Sequence, residues 1–375
     1  MAHAYTPGLR VTDRTVVVKR RILPLKGTVL KKVGDAVRRD EIVARAELPG
    51  SVEIVNAISR LGVEPGDLLA IMKKKPGDAI AKGEILAETR GLWGMFKSRI
   101  ESPIDGSVES VSPITGQMLL RDKPIPVEVA AYVNGKVTKV MEQEGVEIVT
   151  QATFVQGIFG IGGEIWGPLR FVAADPDEVL QPDKLTAECK GAIVVGGSFA
   201  SHAAIKRAIA VGAKGLVVGG IHDEDLRQIL GYDLGVAITG HEKIGLTLVL
   251  TEGFGQIRVS DRTWNTLKKR EGAMASMSGA TQIRAGVVRP ELIIPYDDQQ
   301  EPAETPEASG GSAVEIGSSI RIIRQPHFGR VGVVTALPSA LTKIESETSA
   351  RVLEVKFPDN TTQIVPRANI ELIED

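Results

Sequence analysis

The most reactive combination in this chain of 375 residues lies in the stretch GGSFASHAAI, which holds Gly196, Gly197, Ser198, Ser201 and His202. It follows the apolar run GAIVV and opens a segment whose Ala204, Ile205, Ala208 and Ile209 have helical spacing. An imidazole at a helix start can carry a phosphoryl group, and glycine amides beside a helix N-terminus can bind a small anion. The same residues have a plainer use. Ser198 or Ser201 caps a helix whose apolar face covers a sheet. We favour the cap, because phosphoryl transfer rests on positioning and charge stabilisation that a lone histidine does not supply. His202 stands as the catalytic candidate, and Gly196, Gly197, Ser198 and Ser201 as the anion-binding candidates.

Other polar groups along the chain have equally plain uses. His222, Asp223, Glu224, Asp225, His241 and Glu252 match no metal-ligand spacing, and acidic residues at 223–225 suit the start of a helix. No metal or other cofactor is therefore expected. Glu252 and Phe254 leave an apolar strand through the turn TEGFGQ and are read as facing a partner. Glu252 has no second carboxylate or histidine at a fixed spacing for acid–base work. The glycine-rich GIFGIGGEIWG lacks the following helix of a dinucleotide fingerprint and reads as a loop or a bulged strand pair. Near the C-terminus, Arg321, Arg324, His327, Phe328 and Arg330 cluster around one turn, where cations and an aromatic ring can contact a partner.

The elements around these residues are mainly strands. Aromatic residues make up 4% of the chain while glycine numbers 40, which favours short strands joined by glycine turns. With 43% hydrophobic and 25% charged residues and a net charge of −2, the composition is that of a soluble multidomain protein without global attraction to polyanions. Cys189 is the single cysteine, which excludes an internal disulfide and a cysteine metal cage. With no apolar leader and no run long enough for a membrane span, a cytoplasmic location is expected.

The first half repeats. KKVGDAVRRDEIVARAE from Lys31 matches KKPGDAIAKGEILAET from Lys74, and G-x-V-x-x-V recurs from Gly50, Gly106 and Gly135. Such repeats imply a barrel or sandwich of two interlocked sheets, each copy burying the apolar face of the other. The segments GDAIAKGEILAE and SPIDGSV resemble the biotinyl/lipoyl-type barrel-sandwich hybrid. The intervening TRGLWGMFKSR lacks the lysine motif that attaching enzymes read, and Lys97 stands off-register, so the resemblance implies the fold without the carrier role.

The middle of the chain has short apolar runs (GAIVV, GLVVG, GVAIT, LTLVL) between helical segments, the pattern of an α/β sheet covered on both faces. GGSFASHAAI resembles the phosphohistidine turn of swivelling phosphoenolpyruvate-utilising domains, with one residue inserted and Ala200 in place of threonine. Residues 297–312 hold five acidic residues, two prolines and two glycines, and read as a tether. Beyond them, Gly317, Ile320, Ile322, Pro326, Gly329, Gly332 and Val334 resemble the KOW motif of SH3-like barrels.

The expected organisation is an N-terminal segment (1–20), a duplicated barrel-sandwich β module (21–170), an α/β swivelling-like domain (171–296), an acidic linker (297–312) and a KOW/SH3-like barrel (313–375). Residues 313–375 carry seven Lys/Arg and eight Asp/Glu, a balance that favours a protein or ribonucleoprotein partner over free nucleic acid. The chain reads as a non-catalytic adaptor or scaffold. The alternatives are a phosphoryl-carrier enzyme component using His202 and a small-anion sensor at the Gly196–Ser201 turn.

Overall fold

The computed structural model describes residues 9–89, 98–232, 240–282, 288–297, 314–322, 330–338, 341–343 and 349–374. Lys97, the GVAIT run, nearly all of the acidic linker, and Arg324, His327 and Phe328 lie outside them. The described chain is mainly β, built from several sheets with a half-barrel at its C-terminal end. Among the described residues no helix is long and apolar enough to cross a membrane.

The sequence repeat is preserved down to individual contacts. Gly34 and Gly77 take φ of 95° and 93°, in the left-handed region that glycine adopts without a Cβ penalty. One residue on, Asp35 accepts from the Lys32 amide at 2.8 Å and Asp78 from the Lys75 amide at 2.7 Å. Each turn is then fixed by a glutamate. Glu41 accepts from the Arg38 amide at 3.2 Å and Glu84 from the Ala81 amide at 3.0 Å. The same glutamates pair with Lys31 and Lys74. The amides of Gly34 and Gly77 donate to Val137 and Val108, the valines of two G-x-V elements, at 2.8 and 2.7 Å.

The two copies are nested. In the second copy, Ile85–Glu88 and Arg99–Glu101 form a hairpin, with Ile85 opposite Glu101. The equivalent strands of the first copy, Ile42–Leu48 and Ile125–Ala130, pair from Ile42 with Ala130 to Leu48 with Ile125. Where that hairpin would turn, the chain departs and builds the whole second copy. Strands Val52–Asn56, Gln117–Asp122, Gly106–Val111 and Ala79–Ile80 then make the second copy's four-stranded sheet. Each copy has its own core, Val17, Val43 and Ile148 in the first and Leu68, Leu86 and Met118 in the second. The mutual burial expected from the repeat is absent among the described residues. Each copy receives a closing strand from its own sequence and needs none from the other.

The first copy is extended by a 14-residue strand, Leu9–Ile22, which pairs antiparallel with Gly145–Gln156. Gly145–Gln156 also pairs with Glu291–Pro295. This sheet runs into a parallel one made of Glu164–Phe171, Ile193–Val195, Gly215–Ile221 and Thr247–Phe254. Alternate residues of the parallel strands face opposite cores. Val194, Leu216 and Leu248 meet the helix His202–Val211, while Ile193, Val217 and Val249 meet Trp264 and Leu267 of the helix Asp261–Lys268. Val11 and Val155 join the second of these cores, so the long N-terminal strand is packed into the centre of the molecule.

At the C-terminal end, Ser319–Ile322 lies between Val331–Ala336 and Ile370–Glu374, and Ser349–Lys356 links Val331–Ala336 to Thr362–Pro366. Ile320, Val334, Leu353 and Phe357 fill the core of this half-barrel. A two-residue parallel ladder, Leu9 with Ile373 and Arg10 with Glu374, joins it to the N-terminal strand.

Candidate functional site

The GGSFASHAAI turn is packed against backbone. Gly196 donates to the Val217 carbonyl and Ser198 to the Glu178 carbonyl, both at 2.8 Å, and the Ser198 hydroxyl donates to the Asp177 carbonyl at 2.6 Å. A Cβ on Gly197 would lie 2.1 Å from the Glu178 carbonyl oxygen, so glycine there serves close approach of two chain segments. The Gly196 and Ser198 amides thus face carbonyl oxygens, which repel an anion. Ser201 caps the helix His202–Val211, accepting from the Ala204 amide at 3.3 Å. His202, the first helical residue, is half-buried, and its Nε2 is buried with no hydrogen-bond partner. His222 precedes the helix Asp223–Leu230, and its ring lies 4.7 Å from that of Phe199. Asp223, Glu224 and Asp225 occupy that helix's first turn, where the dipole favours negative charge. No group of three or more metal-ligating side chains occurs among the described residues.

The glycine-rich GIFGIGGEIWG segment forms two strands, Phe159–Ile161 and Glu164–Phe171, which pair with different neighbours. Its amides serve the chain itself. Gly160 donates to the Thr281 hydroxyl and Gly162 to the Glu242 carboxylate, both at 2.9 Å.

The strongest site geometry lies where the half-barrel meets the parallel sheet. Arg321 of Ser319–Ile322 donates from Nη1 to Oε2 of Glu252, on Thr247–Phe254, at 2.6 Å. The two side chains are 5% and 6% exposed. Glu252 Oε1 accepts from the Ser260 amide at 3.0 Å, and Arg321 also reaches the Thr251 carbonyl at 3.4 Å. Burying a charge pair this deeply requires such extra hydrogen bonds, since desolvation opposes the attraction. Above the pair is a cleft of about 590 Å³. Leu9, Val11, Ile257 and Val331 supply its apolar wall, with Arg258, Arg262 and Arg330 among its polar groups.

These arginines already have acceptors. Arg258 bridges Asp177 at 2.9 Å and Asp261 at 2.6 Å. That contact holds the Asp261 carboxyl below its usual range, and the two aspartates raise Arg258. Arg262 donates to the Val11 carbonyl at 2.9 Å. Arg330 pairs with Asp359 at 2.7 Å and lies over the Phe357 ring at 3.8 Å.

Of the five residues expected to meet a partner, Arg321 points into the molecule and Arg330 lies at the cleft, while the other three fall outside the described residues. Glu252 likewise faces inward, to Arg321, whereas Phe254 is exposed beside Phe159 at 5.2 Å. Sequence reasoning missed this pairing although a signal existed. LTLVLTEGF and SSIRII each carry one charge inside an apolar strand, and the two charges are opposite. Lone buried charges need partners. No protein-family model matches the chain, and no curated protein matches it.

Proposed function

We propose that the chain is a non-catalytic adaptor or scaffold whose C-terminal half-barrel, a KOW-type SH3-like barrel, contacts a protein or ribonucleoprotein partner. The observation that carries this reading is the outer surface of the half-barrel. Its core is closed by its own residues, yet Val333 and Ile364 remain exposed, with Lys356 directly opposite Val333 in strand register, while Val331 and Arg330 border the cleft. Apolar and basic groups together on a sheet suit a protein contact. A protein is favoured over free nucleic acid because Arg321 is buried against Glu252 and Arg330 is paired with Asp359. In this reading the nested β copies are barrel-sandwich modules within 21–170 that act as rigid spacers. Residues 171–296 form a swivelling-like α/β unit, and 297–312 join it to the barrel.

Affinity capture with the full chain and with a chain ending before residue 297 tests the proposal. Partners should be captured by the full chain alone and should resist added RNA. Equal capture by both chains would place the contact elsewhere, and loss on RNA addition would favour a nucleic-acid surface.

A further inference from the structure

The contact between Arg321 and Glu252 shows what the half-barrel face turned toward the parallel sheet can recognise: Ile320 and Ile322 enter the half-barrel core, and Arg321 between them projects from the other side. Arg321 engages a glutamate carboxylate at 2.6 Å and the carbonyl of the preceding residue, Thr251, at 3.4 Å. A guanidinium with several donors suits this combination of carboxylate and adjacent carbonyl. Val331, directly opposite Arg321 in strand register, borders the same cleft and offers an apolar neighbour. The element recognised is an extended strand, Thr247–Phe254.

The docking that produces this contact joins one strand of the half-barrel to the end of a strand in the parallel sheet. Among the described residues it includes the ion pair, the Arg321–Thr251 hydrogen bond and the two-residue ladder of Leu9 and Arg10 with Ile373 and Glu374, and a cleft of about 590 Å³ lies beside them. A buried ion pair sets geometry more than it adds net stability, because desolvation offsets most of its attraction. Exchange of Glu252 for another carboxylate keeps the guanidinium paired, whereas loss of the carboxylate strands it.

We infer that the Arg321 face of the half-barrel is a recognition surface for an extended, glutamate-bearing protein segment, and that Thr251–Glu252 occupies it as an intramolecular stand-in. The inference rests on reading the half-barrel as the partner-contacting unit and adds the chemistry of the partner. A partner segment competes with Glu252 for the guanidinium, so the docked arrangement is the closed form.

The test uses the full-length chain and a fluorescently labelled peptide covering residues 247–257, with a glycine–serine tail for solubility. Binding is read by fluorescence anisotropy for the wild type, Glu252→Gln, Arg321→Met and the double variant. Glu252→Gln should bind the peptide at least tenfold more tightly than the wild type. Adding Arg321→Met should abolish that gain, and a peptide with glutamine in place of the glutamate should bind none of the four proteins. Circular dichroism checks that each variant is folded. If Glu252→Gln unfolds, Glu252→Asp keeps the charge with a shorter reach and should show the same direction of change. Equal binding by wild type and the Glu252 variants, or binding indifferent to Arg321→Met, would overturn the inference. So would preferential binding of a short oligouridylate by the Glu252 variants. The peptide measurement needs no natural partner, so its failure is separable from failure of the capture experiment.

Discussion

Arg321 and Glu252 meet at 2.6 Å although one belongs to the C-terminal half-barrel and the other to the parallel sheet. Removing one partner of a buried pair strands the other charge, at a cost of about 3–5 kcal/mol. Arg321→Met is therefore expected to lower thermal stability strongly. Glu252→Gln combined with Arg321→Met should recover most of the loss, because a glutamine oxygen can still accept from the Ser260 amide. A double-mutant cycle on thermal stability measures this coupling. Additive losses would show that the two side chains do not act as a pair.

The repeat turns give a local test. A Cβ at Gly77 meets nothing within 4 Å, so Gly77→Ala meets only the penalty of a φ of 93°. That penalty is about 1 kcal/mol. At Gly106 a Cβ would lie 1.9 Å from the Arg121 carbonyl oxygen. Gly106→Ala should therefore cost more, about 3 kcal/mol. Amide hydrogen exchange across Gly106–Val111 should rise in both variants, further in the second.

Asp261 supplies a pH dependence. Its folded-state carboxyl is depressed by Arg258, so it contributes stability above its unfolded pKa and loses that contribution as pH falls through the folded value. The pair is exposed, which limits the effect to about 0.5 kcal/mol. Wild type should melt slightly above Asp261→Asn at neutral pH, and the gap should close in acid. A gap that widened on acidification would contradict the assignment.

His202 separates the structural reading from the enzymatic one. Replacement by alanine removes a buried Nε2 that lacks a partner, which offsets part of the lost ring packing. The expected change in stability is within about 1 kcal/mol. Acid-labile phosphate on the wild type that is absent from His202→Ala would instead make this chain a phosphoryl carrier.

Local features were legible wherever local physics decides them. Ser201 caps a helix, and the apolar runs at 193–195 and 247–250 are strands buried on both faces. The paired contacts at Gly34 and Gly77 follow from one repeated sentence of sequence. Long-range relationships were not legible. Nothing in Leu9–Ile22 announces that it pairs with Gly145–Gln156, or that Leu9 meets Ile373. Strand pairing depends on register and tertiary packing, which side-chain alternation alone leaves open. The same limit hid the site: Arg321 lies beside a basic turn in sequence, and only the fold brings it to Glu252.

The nested arrangement also sets an order of events during synthesis. Residues 49–124 hold every described strand of the second copy, so that copy can close as soon as it leaves the ribosome. The first copy cannot. Leu9–Ile22 emerges first, yet waits for Gly145–Gln156 before it has a partner along its length. Translation proceeds at about 5–20 residues per second. For seconds, then, the growing chain carries a long unpaired strand of valine and isoleucine behind a finished domain. Exposed edges of this kind invite pairing with other chains. Its lysines and arginines, Arg10, Arg14, Lys19, Arg20 and Arg21, give nascent copies a shared positive charge that holds them apart until the strand is covered.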